Sequence, residues 1–190
     1  MNEEKLISRA VKGDASAFNE LLGMQEKRMY AVCLRMCANH EDAQDCLQEA
    51  MLRIYRSISG FKGQSSFSTW VYRVTMNTCL DELRKKKNKQ STSLDSLLDT
   101  GWSPSDDSDT PEHHTISAQK RSAIHGAISE LPEDMRSAVV LRDIEGFSYE
   151  EISGMLGINV GTIKSRISRG REKLREKIRR RPELFDRENV

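Results

Sequence analysis

Long apolar runs are missing from this 190-residue chain. Its longest stretches of consecutive hydrophobic residues span only a few positions, far short of the roughly 20 that cross a bilayer. The opening, MNEEKLISRA, is charged and has no apolar segment of the kind that directs secretion, so the expected location is the cytoplasm with no membrane insertion. Proline is scarce, at four residues, which leaves long stretches without a helix breaker. No two of the four cysteines (Cys33, Cys37, Cys46, Cys79) are separated by two residues, and the four histidines complete no zinc-finger spacing. The cysteines read as reduced, small core residues, with a redox or metal role as the alternative. A metal-binding carboxylate cluster, a phosphate-cradling loop and a nucleophile motif are also missing. No enzyme, metal or cofactor is expected.

Net charge is likewise almost absent, at +1, yet the charge is divided into blocks. Residues 1–90 hold 15 basic and 11 acidic residues, 91–115 hold six acids and no Lys or Arg, and 116–190 hold 15 basic and 12 acidic. Two weakly basic blocks flanking an acidic one say more about partners than the total does. The acidic stretch, STSLDSLLDTGWSPSDDSDTPEHHT, is rich in Ser, Asp, Thr and Pro and has no periodic apolar face. It reads as a linker over 91–115, although Leu94, Leu97, Leu98 and Trp102 could dock on a domain or a partner.

What is present is helical periodicity. Phe18, Leu21, Leu22, Met29, Val32, Cys33, Met36 and Cys37 recur at close to 3.6 residues. EDAQDCLQEAMLRIYRSI follows, with an apolar stripe of Ala43, Cys46, Leu47, Ala50, Met51, Ile54, Tyr55 and Ile58 opposite a polar face. GFKGQSS interrupts the pattern, and SFSTWVYRVTMNTCLDELRKKK resumes it with Ser66 or Ser68 as cap. Its apolar residues wrap most of the circumference, which predicts a central helix. After the linker four more helices are expected, with Pro132 in the first turn of the second and Gly146 ending it. No strand is read, so the fold class is all-α, in two small helical domains over 1–90 and 116–181 with a tail at 182–190.

The second block carries the most specific pattern. In SYEEISGMLGINVGTIKSRISRGREKL, Ser148 and Glu151 form a capping box. Gly157 can end that helix in the left-handed conformation, and Asn159 can cap the next. Helix, tight glycine turn and second helix make a helix-turn-helix. Gly161 to Arg181 holds ten Lys or Arg and two Glu. With Ile163, Ile167, Leu174 and Ile178 facing the core, Thr162, Ser165, Ser168, Arg169 and Glu172 point away, flanked by Lys164, Arg166 and Arg171. Small donors and Arg on an outward face, with cations alongside, suit a helix in the DNA major groove. In the first block, Phe61, Lys62, Phe67, Trp70, Tyr72 and Arg73 interleave aromatics with cations, a composition that can hold unpaired bases but that in a helix also builds core.

The stretches DAQDCLQEAMLRIYRSI, FSTWVYRVTMNTCLDELRKK and LPEDMRSAVVLRDIEGFSYEEISGMLGINVGTIKSRISRGREKLR stand in this order, with the linker between the second and third. In this the chain resembles bacterial RNA polymerase sigma factors of the sigma-70 family, in the extracytoplasmic-function group, over nearly its whole length. The resemblance implies that the 42–58 helix docks on the β′ clamp helices of core RNA polymerase through Asp42, Asp45, Gln48, Glu49 and Arg53. It implies that the segment from Phe61 to Lys87 recognises and helps melt the −10 promoter element, with Phe61, Lys62, Phe67, Trp70, Arg73, Asn77, Arg84 and Lys85 as its site. Trp70 and Asn77 match the family's pattern there. The helix-turn-helix would read the −35 element and sit on the β flap, through Thr162, Lys164, Ser165, Arg166, Ser168, Arg169, Arg171 and Glu172. An anti-sigma factor is an expected partner. The rival readings are an autonomous helix-turn-helix regulator, which would bind a palindrome as a dimer, and a nucleic-acid enzyme, for which no site is found.

Overall fold

The structure, a computed structural model, describes residues 3–37, 39–92 and 111–180. These fall into two compact units, one within 1–96 and one within 97–190. Every regular element among the described residues is helical, in agreement with the all-α reading.

The first unit comprises α1 (Glu3–Val11), α2 (Ala15–Cys37), α3 (His40–Ser57), a short 3-10 turn at Ile58–Gly60, and α4 (Phe67–Thr92). The starts of α2, α3 and α4 are each set by a polar cap. Asp14 accepts from the Ser16 and Ala17 amides at 3.0 and 3.1 Å. Asn39 accepts from the Asp42 amide at 2.8 Å, and Ser66, rather than Ser68, accepts from the Thr69 amide at 3.0 Å. Such bonds satisfy donors that the first helical turn leaves without partners. The helices α2, α3 and α4 pack on one another around Leu21, Met29, Val32, Met36, Ile54, Val71 and Met76, all buried. The two buried hydroxyls of α4, Thr75 and Thr78, donate to carbonyls one turn back, Val71 and Val74, at 2.9 Å each, so a helix enclosed on most sides leaves neither unsatisfied.

Two details depart from the sequence reading. Helix α1 was not read from the charged N-terminal stretch. It seats Leu6 and Ala10 against α2, four residues apart on one face. Tyr55, counted in the apolar stripe of α3, is 58% exposed, because Ile54 beside it takes the core position.

The second unit contains α5 (Pro111–Ser129), α6 (Glu133–Val139) continuing as one π-helical turn through Ile144, α7 (Tyr149–Leu156) and α8 (Val160–Arg179). The four helices agree with the four expected. Helix extends into both ends of the stretch read as linker, 91–115: α4 reaches Thr92 and α5 begins at Pro111. No Gly or Pro stops the Lys- and Gln-rich end of α4, and proline is preorganised for a first helical turn. The linker's remaining residues, 93–110, and the tail at 182–190 lie outside the described residues. Pro132 sits at the cap position of α6, one residue before its first turn. Arg136 is buried and donates to the Leu131 carbonyl at 3.0 Å and to the Ser129 carbonyl, closing the chain between α5 and α6. Gly146, at φ 79°, follows the π turn, where a residue with a Cβ would be strained.

Candidate nucleic-acid interface

The helix-turn-helix is built by its caps. The Ser148 hydroxyl accepts from the Glu151 amide at 3.2 Å, and the Glu151 carboxylate accepts from the Ser148 amide at 2.8 Å. The Ser148 amide, and after it the Ser148 hydroxyl, donate to the Glu151 carboxylate and hold that carboxyl below its ordinary pKa. Gly157 ends α7 in the left-handed conformation, at φ 68°. Asn159 starts α8 by accepting from the Thr162 amide at 2.8 Å. Ile152 and Met155 of α7 and Ile163 and Ile167 of α8 are buried, so the opposite face of α8 turns outward.

That outward face carries Lys164, Ser165, Ser168, Arg169 and Glu172, all exposed, with Thr162 half-buried. Arg169 lies along the helix, its guanidinium 3.3 Å from the Ser165 carbonyl and 3.4 Å from the Ser165 hydroxyl. These are local, exposed bonds that a base edge can replace. The other two arginines of the expected site are tied back into the unit. Arg166 pairs with Asp134 at 3.3 Å, and Arg171 with Asp143, Nε to Oδ2 at 3.0 Å. Two neighbours escaped the sequence reading. Tyr149 lies under both Arg142 and Lys164, at 4.6 and 5.4 Å from its ring centroid, a cation–π arrangement. It lines a groove with Lys164, Ile167, Ser168, Arg171, Glu172 and Arg175. Its position just after the capping serine was the available signal. Gly170 is buried where α8 crosses α6: a Cβ there would stand 2.6 Å from Val139 Cγ2. Only glycine permits that approach.

In the first unit, Phe61, Phe67 and Trp70 form a cluster with ring centroids 5.4 to 5.8 Å apart. Phe67 is 3% and Trp70 8% exposed, while Phe61 is half-buried. Phe67 and Trp70, expected at the site, thus brace the 61–66 loop from below. Lys62, Arg73, Asn77, Arg84 and Lys85 are exposed. Gly63, at φ 69°, gives the loop its turn.

The polar side of α3 forms a third surface. Asp45 and Gln48 are exposed, and Asp42, Glu49 and Arg53 are half-buried. Arg53 donates to Glu49 at 2.8 Å and to Asp81 of α4 at 2.7 Å. Asp81, then Glu49, raise the pKa of Arg53, and Arg53 in turn lowers that of Glu49. Asp42 pairs with Lys86 of α4. Asp81 and Lys86 belong to this surface but come from another helix, 28 and 44 residues away, a distance that periodicity cannot bridge. No helix among the described residues is long and apolar enough to cross a membrane.

Fold and surfaces together define a DNA-binding protein: two helical units, one of them a helix-turn-helix whose second helix is bare and polar on its outer face. Residues 24–89 match sigma-70 region 2, and residues 121–174 match sigma-70 region 4. The chain is 34% identical over 174 residues to the RNA polymerase sigma-H factor of Pseudomonas aeruginosa, covering 90% of each chain. It is 36% identical over 180 residues to the ECF RNA polymerase sigma factor SigW of Bacillus subtilis, covering 93% of this chain and 96% of that one. In fold it is similar to the sigma factor RpoE solved in complex with the anti-sigma factor NepR from Bartonella quintana, with a TM-score of 0.70 and 23% identity over 85% of this chain and 96% of that one. It is also similar to CnrH in complex with the cytosolic domain of CnrY, at a TM-score of 0.66 and 18% identity over 94% and 97%. The chain belongs to the sigma-70 family of RNA polymerase sigma factors, in the extracytoplasmic-function group. It directs RNA polymerase to promoters and initiates transcription there.

Proposed function

We propose the following division of labour for this sigma factor, acting in the cytoplasm by binding rather than by catalysis. The second unit reads the −35 element as duplex, with α8 in the major groove. Arg169 makes the base contact, Thr162, Ser165 and Ser168 supply small donors, and Lys164 and Arg175 hold phosphates. The observation that carries this is the outward face of α8, where Arg169 is exposed while Arg166 and Arg171 are committed to Asp134 and Asp143. Those two arginines orient α8 against its own unit.

The first unit takes the −10 element. Phe67 and Trp70 support the 61–66 loop, Phe61 and Asn77 meet the opened strand, and Lys62, Arg73, Arg84 and Lys85 attract its backbone. The α3 surface of Asp42, Asp45, Gln48, Glu49 and Arg53 docks on core polymerase at the β′ clamp helices, and the helix-turn-helix unit sits on the β flap. Two readers joined by the acidic segment bind promoter weakly until polymerase sets their spacing, since effective concentration depends on the span. An anti-sigma factor is a further partner; the Bartonella sigma factor is solved in complex with one, NepR.

The test is promoter selection by Arg169→Ala from a library randomised at −35. Loss of discrimination at one base pair by about 1–3 kcal/mol, or roughly 5- to 150-fold, is expected. An unchanged preference removes Arg169 from the base-reading role.

A further inference from the structure

All four cysteines of the chain converge in the core of the first unit. Cys33 and Cys37 stand one turn apart on α2, Cys46 is on α3, and Cys79 is on α4; all four are buried and reduced. Cys37 Sγ lies 3.3 Å from Cys46 Sγ, and Cys79 Sγ lies 3.7 Å from Cys33 Sγ. The Cys37, Cys46 and Cys79 sulfurs all lie within 4.8 Å of one another. Zinc–sulfur bonds of about 2.3 Å in a tetrahedron separate the sulfurs by roughly 3.8 Å. The Cys37, Cys46 and Cys79 trio already has nearly that size, and Cys33, 3.7 Å from Cys79, is the fourth sulfur that must turn inward.

We propose that Cys33, Cys37, Cys46 and Cys79 form a tetrathiolate site for one zinc ion that staples α2, α3 and α4 together. Four sulfur ligands in a tetrahedron select zinc among the abundant hard and borderline divalent ions. The spacing of the ligands, across three helices, is unlike that of zinc fingers, which is why the sequence pattern points to core residues instead.

Two features separate this cluster from four cysteines used merely as small apolar fillers. The first is a way in. A surface pocket of about 50 Å³ reaches Cys37 and Cys46, and its rim carries Asp42, Asp45, Glu82 and Lys86. Three carboxylates there attract a cation and accept protons, and the Lys86 ammonium offsets part of the negative charge of the loaded site. The second is the internal hydrogen bonding. Cys37 donates to Cys46 at 3.3 Å and Cys79 donates to Cys33 at 3.7 Å, so the sulfurs already face one another in pairs. The thiols ionise as the charge of the ion arrives. Loading is balanced: one Zn²⁺ enters, four thiol protons leave, and the tetrathiolate carries a charge of −2. No oxidant or reductant is involved.

The test uses the full chain, reduced and stripped of metal, titrated with Co²⁺ as a spectroscopic probe and then with Zn²⁺. The expected result is saturation at one Co²⁺ per chain, with the intense thiolate-to-cobalt charge-transfer bands of tetrahedral sulfur coordination and displacement by Zn²⁺. Zinc at a hundredfold excess over its dissociation constant should raise the melting temperature by about 10 °C or more. It should also shield four thiols from alkylation. Cys46→Ala should abolish the tetrathiolate spectrum and the thermal shift while circular dichroism reports intact helix. If that variant does not fold, thiol shielding in the wild-type chain decides alone. A wild-type chain that takes up no cobalt, gives only oxygen- or nitrogen-type spectra, or leaves its thiols equally reactive with and without zinc would overturn the site.

Discussion

Gly170→Ala adds one methyl group at the point where α8, the proposed reading helix, crosses α6. The new Cβ would stand 2.6 Å from Val139 Cγ2, 3.5 Å from Met135 Cβ and 3.6 Å from the Met135 carbonyl oxygen. Carbon atoms rest at about 3.5–4.0 Å, so the first contact must open by roughly 1 Å. Val139 is buried, and a valine in a helix is stiff at χ1. Overpacking of this kind costs about 1–3 kcal/mol. Replacing glycine by alanine within a helix returns up to about 1 kcal/mol, so the net loss is roughly 0–2 kcal/mol. In a Val139→Ala background the opposing methyl is gone, and the same substitution should stabilise by up to about 1 kcal/mol. The assay is native-state hydrogen exchange on α6 and α8 peptides of the full chain, which reads the local opening free energy. Protection should fall in the wild-type background, by up to about 30-fold, and rise in the Val139→Ala background. The same change in both backgrounds would refute the close-crossing argument, because a real clash must couple the two positions.

Trp70→Ala should destabilise the first unit by about 3–5 kcal/mol, the usual cost of emptying a buried aromatic site, read by thermal unfolding. Asn77→Ala, on the exposed side of α4, should leave stability within about 0.5 kcal/mol yet impair promoter opening in a permanganate footprint of the −10 region. Normal opening by Asn77→Ala would detach that residue from the melted strand. The capping box makes a pH prediction. Glu151 has a lowered folded-state pKa, so its contribution is present above its ordinary value of 4.5 and is lost as pH falls through the folded value. Glu151→Gln should therefore narrow the stability difference from wild type as pH drops below about 4.5. Ser148→Ala should cost about 1 kcal/mol near neutrality. A constant gap between Glu151→Gln and wild type across the acid range would contradict the assignment.

The local signals were the most legible. Ser148, Glu151, Gly157 and Asn159 act within a few residues of themselves, and each occupies the place its chemistry demands. The apolar periods of α2 and α3 likewise gave the core, since a helix repeats its facing every turn. What escaped depends on distant chain segments. Asp81 and Lys86 join the polar side of α3, Asp134 and Asp143 pair with Arg166 and Arg171 of α8, and the four cysteines meet only when three helices pack. Phe67 and Trp70 show the limit of composition: aromatics beside cations suggest stacking, but α4 is enclosed, and burial places both rings under the loop. Helix α1 was obscured by its charged residues, although Leu6 and Ala10 already lay one turn apart.

On the proposed division of labour, this chain directs polymerase to promoters through two separate readers. The most direct test mixes the purified chain with core RNA polymerase and genomic DNA and maps transcript 5′ ends. Discrete starts are expected, absent without the chain, that share two upstream motifs at fixed spacing, with Arg169→Ala relaxing the −35 motif alone. Protein-dependent starts sharing only one motif, or no dependent starts with a competent core and dimeric binding to a palindrome instead, would contradict it.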